Sequence, residues 1–414
     1  MDLIYHNVAG LDVHHKTVVA CLRTVKPQGG IAERVETFGT MTSDLLRLSE
    51  WLTAHGVTHV AMESTGVLWK PVWNILEGSF QLLLVNPREL KRVPGRKSDV
   101  RDCPWIAQLL HCGLLKSSFV PPRAQRELRD LTRQRAQLSG EHTRAANRVH
   151  KVLEDANIKL GAVATDILGK SGRSMLKALL AGERDPVKLA DLAEGVLRKK
   201  IPQLQEALRG HLTEHHCFLL RRLLEHLRYL EAEIDTFSQR IESCLRPFVS
   251  PPQMERLDRI PGVNRRTVEN LVAEIGTDMS RFPDETHLSS WAGMCPGHEE
   301  SAGKRSRSRT TKGKRWLRRA LTEAAWAASH TKHSYLGKQY RRLAARRGRK
   351  RAVIAVGHSL LVIVYHLLQA EVEYEDLGED YLEKLSPERS RRYLVKRLEA
   401  LGYEVTLTTR EPAA

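Results

Sequence analysis

The chain has 414 residues, 41% of them apolar, which is enough for two or three domains with cores of their own. A formal charge of +17 points to a polyanionic partner, with nucleic acid the default choice. No run of about 18 apolar residues is present, Met1-Asp-Leu-Ile-Tyr5 lacks the layout of a signal peptide, and Cys21, Cys103, Cys112, Cys217, Cys244 and Cys295 form no Cys-x-x-Cys pair, so the expectation is a cytoplasmic protein with reduced thiols, no membrane span and no zinc ribbon.

Strands are expected near 7–13, 17–25 and 31–40, with turns at His14-His15-Lys16 and Pro27-Gln-Gly-Gly30 between them. A helix follows over 43–55 with Ser43 as its N-cap, then strand 58–63, helix 67–78, strand 80–86 and helix 98–114. Three strands that can form a meander, followed by strands alternating with helices, predict a mixed sheet covered by helices. This is also the element order of the RNase H fold.

Four acids stand out against that order. Asp12 lies in the apolar run Val8-Ala-Gly-Leu-Asp12-Val13, and Glu63 ends His59-Val-Ala-Met-Glu63. Asp99 and Asp102 lie three apart in Lys97-Ser-Asp-Val-Arg-Asp102, a spacing that puts both on one helix face. Carboxylates are the hard oxygen ligands that Mg²⁺ prefers. Two such ions about 4 Å apart can activate an attacking oxygen and stabilise a leaving one at a phosphodiester.

Residues 121–158 read as one long polar helix, 161–200 as short helices with loops, and 203–245 as a second long helix with Leu220, Leu223, Leu227, Leu230, Ile234 and Ile241 at helical spacing. The two seams suit either an antiparallel hairpin or an intermolecular coiled coil. The neighbouring side chains of His215-His216-Cys217 point to different helix faces, which argues against a metal site there.

Pro247, Pro251 and Pro252 mark the next boundary. Leu257-Asp-Arg-Ile-Pro-Gly262-Val-Asn264-Arg resembles a helix-hairpin-helix, whose turn offers backbone N–H groups to a DNA phosphate. Asn264 stands at the second glycine position and is expected to take the positive φ there. Ser301 follows in a loop that turns strongly basic, where cations and a polarised phosphate would activate its hydroxyl; a purely structural loop serine is the alternative. From Ser301 to Arg351 there are 18 Lys or Arg against Glu323 alone. Lys304, Arg305, Arg307, Arg309, Lys312, Lys314, Arg315, Arg318 and Arg319, with Gly262 and Asn264, are the candidate nucleic-acid contacts, and such contacts make binding fall steeply with salt. Residues 352–368 read as a buried helix, the stretch from Glu371 to Glu383 is acidic, and a helix near 387–401 and a strand Tyr403–Leu407 close the chain.

Taken together, Gly10-Leu-Asp12-Val, Ala61-Met-Glu63-Ser-Thr-Gly66, Asn86-Pro-Arg, Lys97-Ser-Asp99-Val-Arg-Asp102, Ile260-Pro-Gly-Val, Trp291-Ala-Gly-Met-Cys-Pro296, Ser301-Ala-Gly-Lys304 and Lys312-Gly-Lys-Arg-Trp-Leu-Arg318 resemble the DEDD-type insertion-sequence transposases of the insertion sequence 110 family. The resemblance implies a RuvC-like DEDD catalytic domain (1–120), a helical coiled-coil region (121–247) and a C-terminal transposase domain (248–370), to which an acidic tail (371–414) is added. It implies Asp12, Glu63, Asp99 and Asp102 as Mg²⁺ ligands and Ser301 as the nucleophile of a transient serine–DNA link, with Ser306 and Ser308 close by. It also implies donor and target DNA, a structured guide RNA from the element and a homodimer or homotetramer in a prokaryotic cytoplasm. No GxxxxGK[ST] motif occurs, as suits chemistry that conserves the phosphodiester energy. Two other readings remain: a RuvC-like Holliday-junction resolvase in which water attacks, and a non-catalytic nucleic-acid-binding scaffold.

Overall fold

The computed structural model describes residues 4–408 apart from 29, 88–89, 91–101, 297–299, 302–303, 306–309, 311–312, 371 and 386. It divides into two compact units, residues 1–122 and 123–414.

The first unit is built on β1 (Asn7–Val13), β2 (Thr17–Val25), β3 (Ile31–Gly39), β4 (His59–Glu63) and β5 (Gln81–Val85). They form one sheet in the order β3-β2-β1-β4-β5. The first three pair antiparallel, and β4 and β5 run parallel to β1. An antiparallel meander joined to parallel strands in this order is the RNase H/RuvC-like mixed sheet, as the element order predicts. Central β1 is buried on both faces, which is why it reads as an unbroken apolar run. Its Ala9, Leu11 and Val13 pack with Leu45, Leu48 and Leu52 of α1 (Thr42–Ala54) and with Val72 and Leu76 of α2 (Trp69–Leu76). Ser43 is not the cap of α1. The N-cap position is Met41, which makes no side-chain cap bond, and Ser43 lies inside the first turn.

The opposite face of β1 receives α3 (Asp102–His111). Gly10 makes this approach possible: a β-carbon there would lie 2.4 Å from the Cys103 carbonyl oxygen and 2.5 Å from the Ala107 nitrogen. The backbone of α3 therefore rests directly on the strand, with Cys21, Cys103 and Ala107 buried around the contact.

The second unit begins with α4 (Arg123–Asp155). The short helices α5 (Leu160–Val163), α6 (Lys170–Leu180), α7 (Pro186–Asp191) and α8 (Ile201–Ala207) lead to α9 (Glu214–Leu245). The second long helix expected over 203–245 is in fact broken at 208–213. Gly210 comes so close to Ala156 and Ile158 that no β-carbon fits, and the N–H of His211 donates to the Ala156 carbonyl at 2.8 Å. Thr213 then starts α9 with a capping box shared with His216.

Helices α4 and α9 run antiparallel: Arg135 meets Ser238, His142 meets Glu231 and Asp155 meets His216. The leucine seam is thus used within one chain, where Leu220, Leu227 and Leu230 pack with Val149 and Leu153. A second core gathers Leu128, Ile241 and Leu245 with α10 (Pro251–Asp258), α11 (Arg265–Ile275), α12 (Glu285–Ala292), α13 (Arg315–Ser329), α14 (Tyr335–Arg347) and α15 (Arg349–Ala370). By length and composition α15 could cross a membrane, although the sequence shows no unbroken apolar run because His358, Ser359 and His366 interrupt it. Val356, Leu360, Leu361 and Val364 bury one of its faces in this core. The short α16 (Tyr381–Lys384) and α17 (Pro387–Glu399) follow. Residues 403–407 form no strand.

Replacing Gly10 with alanine forces α3 off the sheet. Overpacking of this kind costs about 1–3 kcal/mol, so Gly10→Ala should lower the thermal unfolding midpoint and the urea midpoint measured by circular dichroism.

Candidate active site and nucleic-acid interface

Parallel register brings the first two acids together. Leu11 pairs with Met62, so the next residues, Asp12 and Glu63, lie side by side near the C-terminal ends of neighbouring strands about 4.8 Å apart. Alternation puts both on the same face. Ala9 and Leu11 of β1 and Val60 and Met62 of β4 point into the α1/α2 core, whereas Gly10 faces α3 and Ala61 is buried with Ile106 and Leu110 of α3. Asp12 and Glu63 follow Gly10 and Ala61 on that face. Asp102 lies on α3, at the N-terminal end of its described residues. Its neighbour Cys103 is the residue that touches Gly10. Three of the four predicted acids therefore lie at one end of one sheet face, and Asp99 lies outside the described residues.

The side chains are less gathered than the backbone. Asp12, a quarter exposed, accepts from His14 Nε2 at 3.1 Å. Glu63 accepts from Thr65 Oγ1 at 2.5 Å. Among the described residues no three His, Cys, Asp or Glu side chains meet closely enough to hold an ion. The donor set itself is all carboxylate oxygen, which is the chemistry a hard divalent cation takes.

Ser301 lies in the second unit on β6 (Glu300–Ser301), which pairs antiparallel with β7 (Lys304–Arg305), so that Ser301 is opposite Lys304. The base of this hairpin is closed by a bridge from Pro296 to Thr310. Two glycines brace it. Gly293 ends α12 in the left-handed conformation, and Gly313 packs so tightly on Ala292 and Gly293 that a β-carbon would fall 2.3 Å from the Ala292 carbonyl oxygen. That bracing escaped the sequence reading; the glycines of Trp291-Ala-Gly and Lys312-Gly-Lys are its signal. Arg307, Arg309 and Lys312 lie outside the described residues.

Past the hairpin, Lys314 sits over the Trp291 ring, with its Nζ 5.2 Å from the centroid. Packing there takes the ammonium partly out of water, and with the cation of Arg129 nearby this moves its pKa below the usual lysine value. The Arg315 guanidinium lies 5.7 Å from the ring centre of Trp316, and Arg319 Nε donates to Glu323 at 2.8 Å in an exposed pair.

The hairpin-like turn departs from expectation in one respect. The positive φ falls on Gly262 (+81°), whereas Asn264 is extended (φ −130°) and caps α11 by accepting from the Thr267 N–H at 2.9 Å. Gly262 has no room for a side chain because Ala324 and Ala328 of α13 press on it. Gly262, Asn264 and Arg319 line a cleft of about 280 Å³, together with Arg133, Arg135 and Arg266. These three arginines were not singled out from the sequence. The first two belong to α4, whose charged stripe reads as solvent-facing until its packing is seen.

A family model described as "Transposase", the DEDD type, matches residues 9–158, and one described as "Transposase IS116/IS110/IS902 family" matches residues 254–341. Both models describe transposases. The chain belongs to the IS110 family of insertion-sequence transposases. It is 31% identical over 116 residues to the pilin gene-inverting proteins of Moraxella bovis and Moraxella lacunata, a match covering 27% of this chain and 36% of each relative. It thus spans about a third of the length of these relatives. A solved structure of Thermus thermophilus RuvC aligns with 27% of this chain and 99% of its own at 16% identity, with a TM-score of 0.21. That likeness is distant, and the strand order itself defines the fold.

Loss of the cap on α11 has a measurable cost. Asn264→Ala should lower stability by about 1 kcal/mol in urea titration, while Asn264→Asp, which keeps an accepting oxygen, should stay near wild type.

Proposed function

We propose that this protein is a DNA recombinase that moves its own element, cutting and exchanging strands through a covalent link between Ser301 and DNA. The observation that carries this reading is the register that sets Asp12 beside Glu63 on the face covered by α3, the helix that bears Asp102. Membership of the IS110 family supports the DNA substrate. In this reading Asp12, Glu63, Asp99 and Asp102 hold Mg²⁺. When bound there, the ion would neutralise charge on the phosphate and favour both attacking and leaving oxygens.

The residues of the chain do the rest. The Ser301 hydroxyl attacks a backbone phosphorus, an Oγ–P bond forms and one P–O bond to deoxyribose breaks. The hydroxyl proton ends on the leaving oxygen. A DNA hydroxyl from the exchanging strand later reverses the step, which conserves the phosphodiester without ATP. Lys304, Arg305, Arg307, Arg309, Lys312, Lys314, Arg315, Arg318 and Arg319, with the turn at Gly262 and Asn264, hold the DNA backbone and an element-encoded guide RNA. The division of labour is one in which base pairing reads sequence and the protein reads shape. The domains of this machine are the RuvC-like unit (1–120), the helical region (121–247), the serine-bearing domain (248–370) and the acidic tail (371–414). A dimer or tetramer in the prokaryotic cytoplasm would bring two duplexes together.

Strand transfer on labelled DNA tests the reading. Ser301→Ala should bind DNA like wild type but form neither transferred strands nor an SDS-resistant adduct. Asp12→Asn and Glu63→Gln should each lower the rate about a hundredfold to a thousandfold, the cost of removing one transition-state-stabilising group. Full transfer by Ser301→Ala would remove the serine from the mechanism, and free 5′-phosphate ends without an adduct would favour hydrolysis by a RuvC-like nuclease.

A further inference from the structure

Between Glu373 and Glu383 six of eleven residues are acidic and none is basic. This segment folds back onto basic residues of its own unit. Glu373 pairs with Arg259 at 2.5 Å, and Glu383 pairs with Lys338 at 2.9 Å. Glu379 reaches His333 at 3.1 Å and Arg341 at 4.0 Å. Lys338 and Arg341 belong to α14, which carries five cations and no acid.

The N-terminus of α14 is taken as well. Asp376 accepts from the Tyr335 N–H at 2.9 Å, in the position an anion occupies at a helix start. The same carboxylate accepts from the Gly378 N–H at 2.8 Å and from the Tyr374 hydroxyl at 3.0 Å, which fixes the turn. Tyr374 packs against the core, and the Tyr381 ring meets Tyr335 edge-on at 5.6 Å between centroids.

An ordinary stabilising tail would not be built this way. The paired acids and cations are all at least partly exposed, from 32% at Lys338 to 58% at Arg259 and Glu373 and 82% at His333. Exposed pairs of this kind add little to stability and are screened by salt. What they do is neutralise a cationic face.

We infer that the face formed by Arg259, His333, Lys338, Arg341 and the start of α14 is a binding surface for a nucleic-acid backbone, and that residues 373–383 occupy it as an internal stand-in for the phosphates. The inference rests on the nucleic-acid reading above. The aromatic anchors hold the segment near its site, and its acids compete with incoming DNA or RNA. Weak, non-specific duplexes are thereby discouraged, while a substrate held at other contacts displaces the segment.

The experiment compares full-length proteins by fluorescence anisotropy with a non-specific DNA duplex over a salt series. Glu373→Gln/Glu379→Gln/Glu383→Gln leaves Asp376 and both tyrosines in place, so the segment stays anchored. Three surface acids, each worth about a factor of two to three, should make this variant bind about tenfold tighter at low salt. The gap should close as salt rises, because salt screens the same pairs. Adding Lys338→Gln/Arg341→Gln to the triple variant should cancel the gain. A charge-matched control, Glu141→Gln/Glu206→Gln/Asp235→Asn, should show little of it. The proposal is overturned if the triple variant binds like wild type, or if the control gains as much. If wild type and every variant fail to bind DNA, the nucleic-acid reading itself falls, and this inference falls with it.

Discussion

The contact on which the active-site reading depends is the bare approach of α3 to Gly10. A helix backbone resting on the middle of a central strand leaves space only for hydrogen, and that closeness fixes where α3 crosses β1. Because Asp102 directly precedes Cys103 in α3, the contact decides the position of a third carboxylate relative to the ends of β1 and β4. The two strand acids need no such device, since parallel pairing in fixed register delivers them. Sheet register and one missing side chain thus assemble the acidic edge from segments separated by almost a hundred residues.

The second unit relies on a different force. Its long helix α4 is attached to α11 through buried charge as well as apolar packing. Arg135 and Glu269, both almost fully buried, meet at 2.5 Å. Arg133 grips Glu274 with two bonds of 2.8 and 2.9 Å. Gln125 and Arg129 donate to the carbonyl of Ala273, and Arg129 also donates to that of Glu274, which satisfies the end of α11. Burial pushes the Arg129 pKa down to about 10, against the pull of Glu274. Removing one member of such a set leaves an unpaired buried charge at a cost of about 3–5 kcal/mol. The network therefore sets the angle between α4 and the turn at Gly262, and with it the shape of the arginine-lined cleft.

Much of the first unit was legible because its signals are local. Apolar runs bounded by turns gave β1 to β5 within a residue or two, and the acids could be placed on them. The misreadings share a cause, namely partners remote in sequence. The break before α9 is imposed by Ala156 and Ile158 pressing on Gly210, where leucine spacing alone suggested continuity. The αL residue of the turn is Gly262, because α13 lies against it, and Asn264 is freed to cap α11. The choice between an intramolecular hairpin and a coiled coil depends on what lies opposite each seam, which spacing does not encode. Rotamers lie beyond a linear reading too: Asp12 turns to His14 and Glu63 to Thr65. The acidic stretch near the C-terminus has no meaning until its contact with α14 is seen.

The central claim is that acids from β1, β4 and α3 share one cation site. Titration of the full-length protein with Mn²⁺, followed by electron paramagnetic resonance, tests it without reference to strand transfer. The account predicts that wild type binds Mn²⁺, that Asp12→Asn, Glu63→Gln and Asp102→Asn each weaken binding, and that Asp235→Asn on α9 does not. Equal binding by all five proteins, or none by wild type, would contradict it.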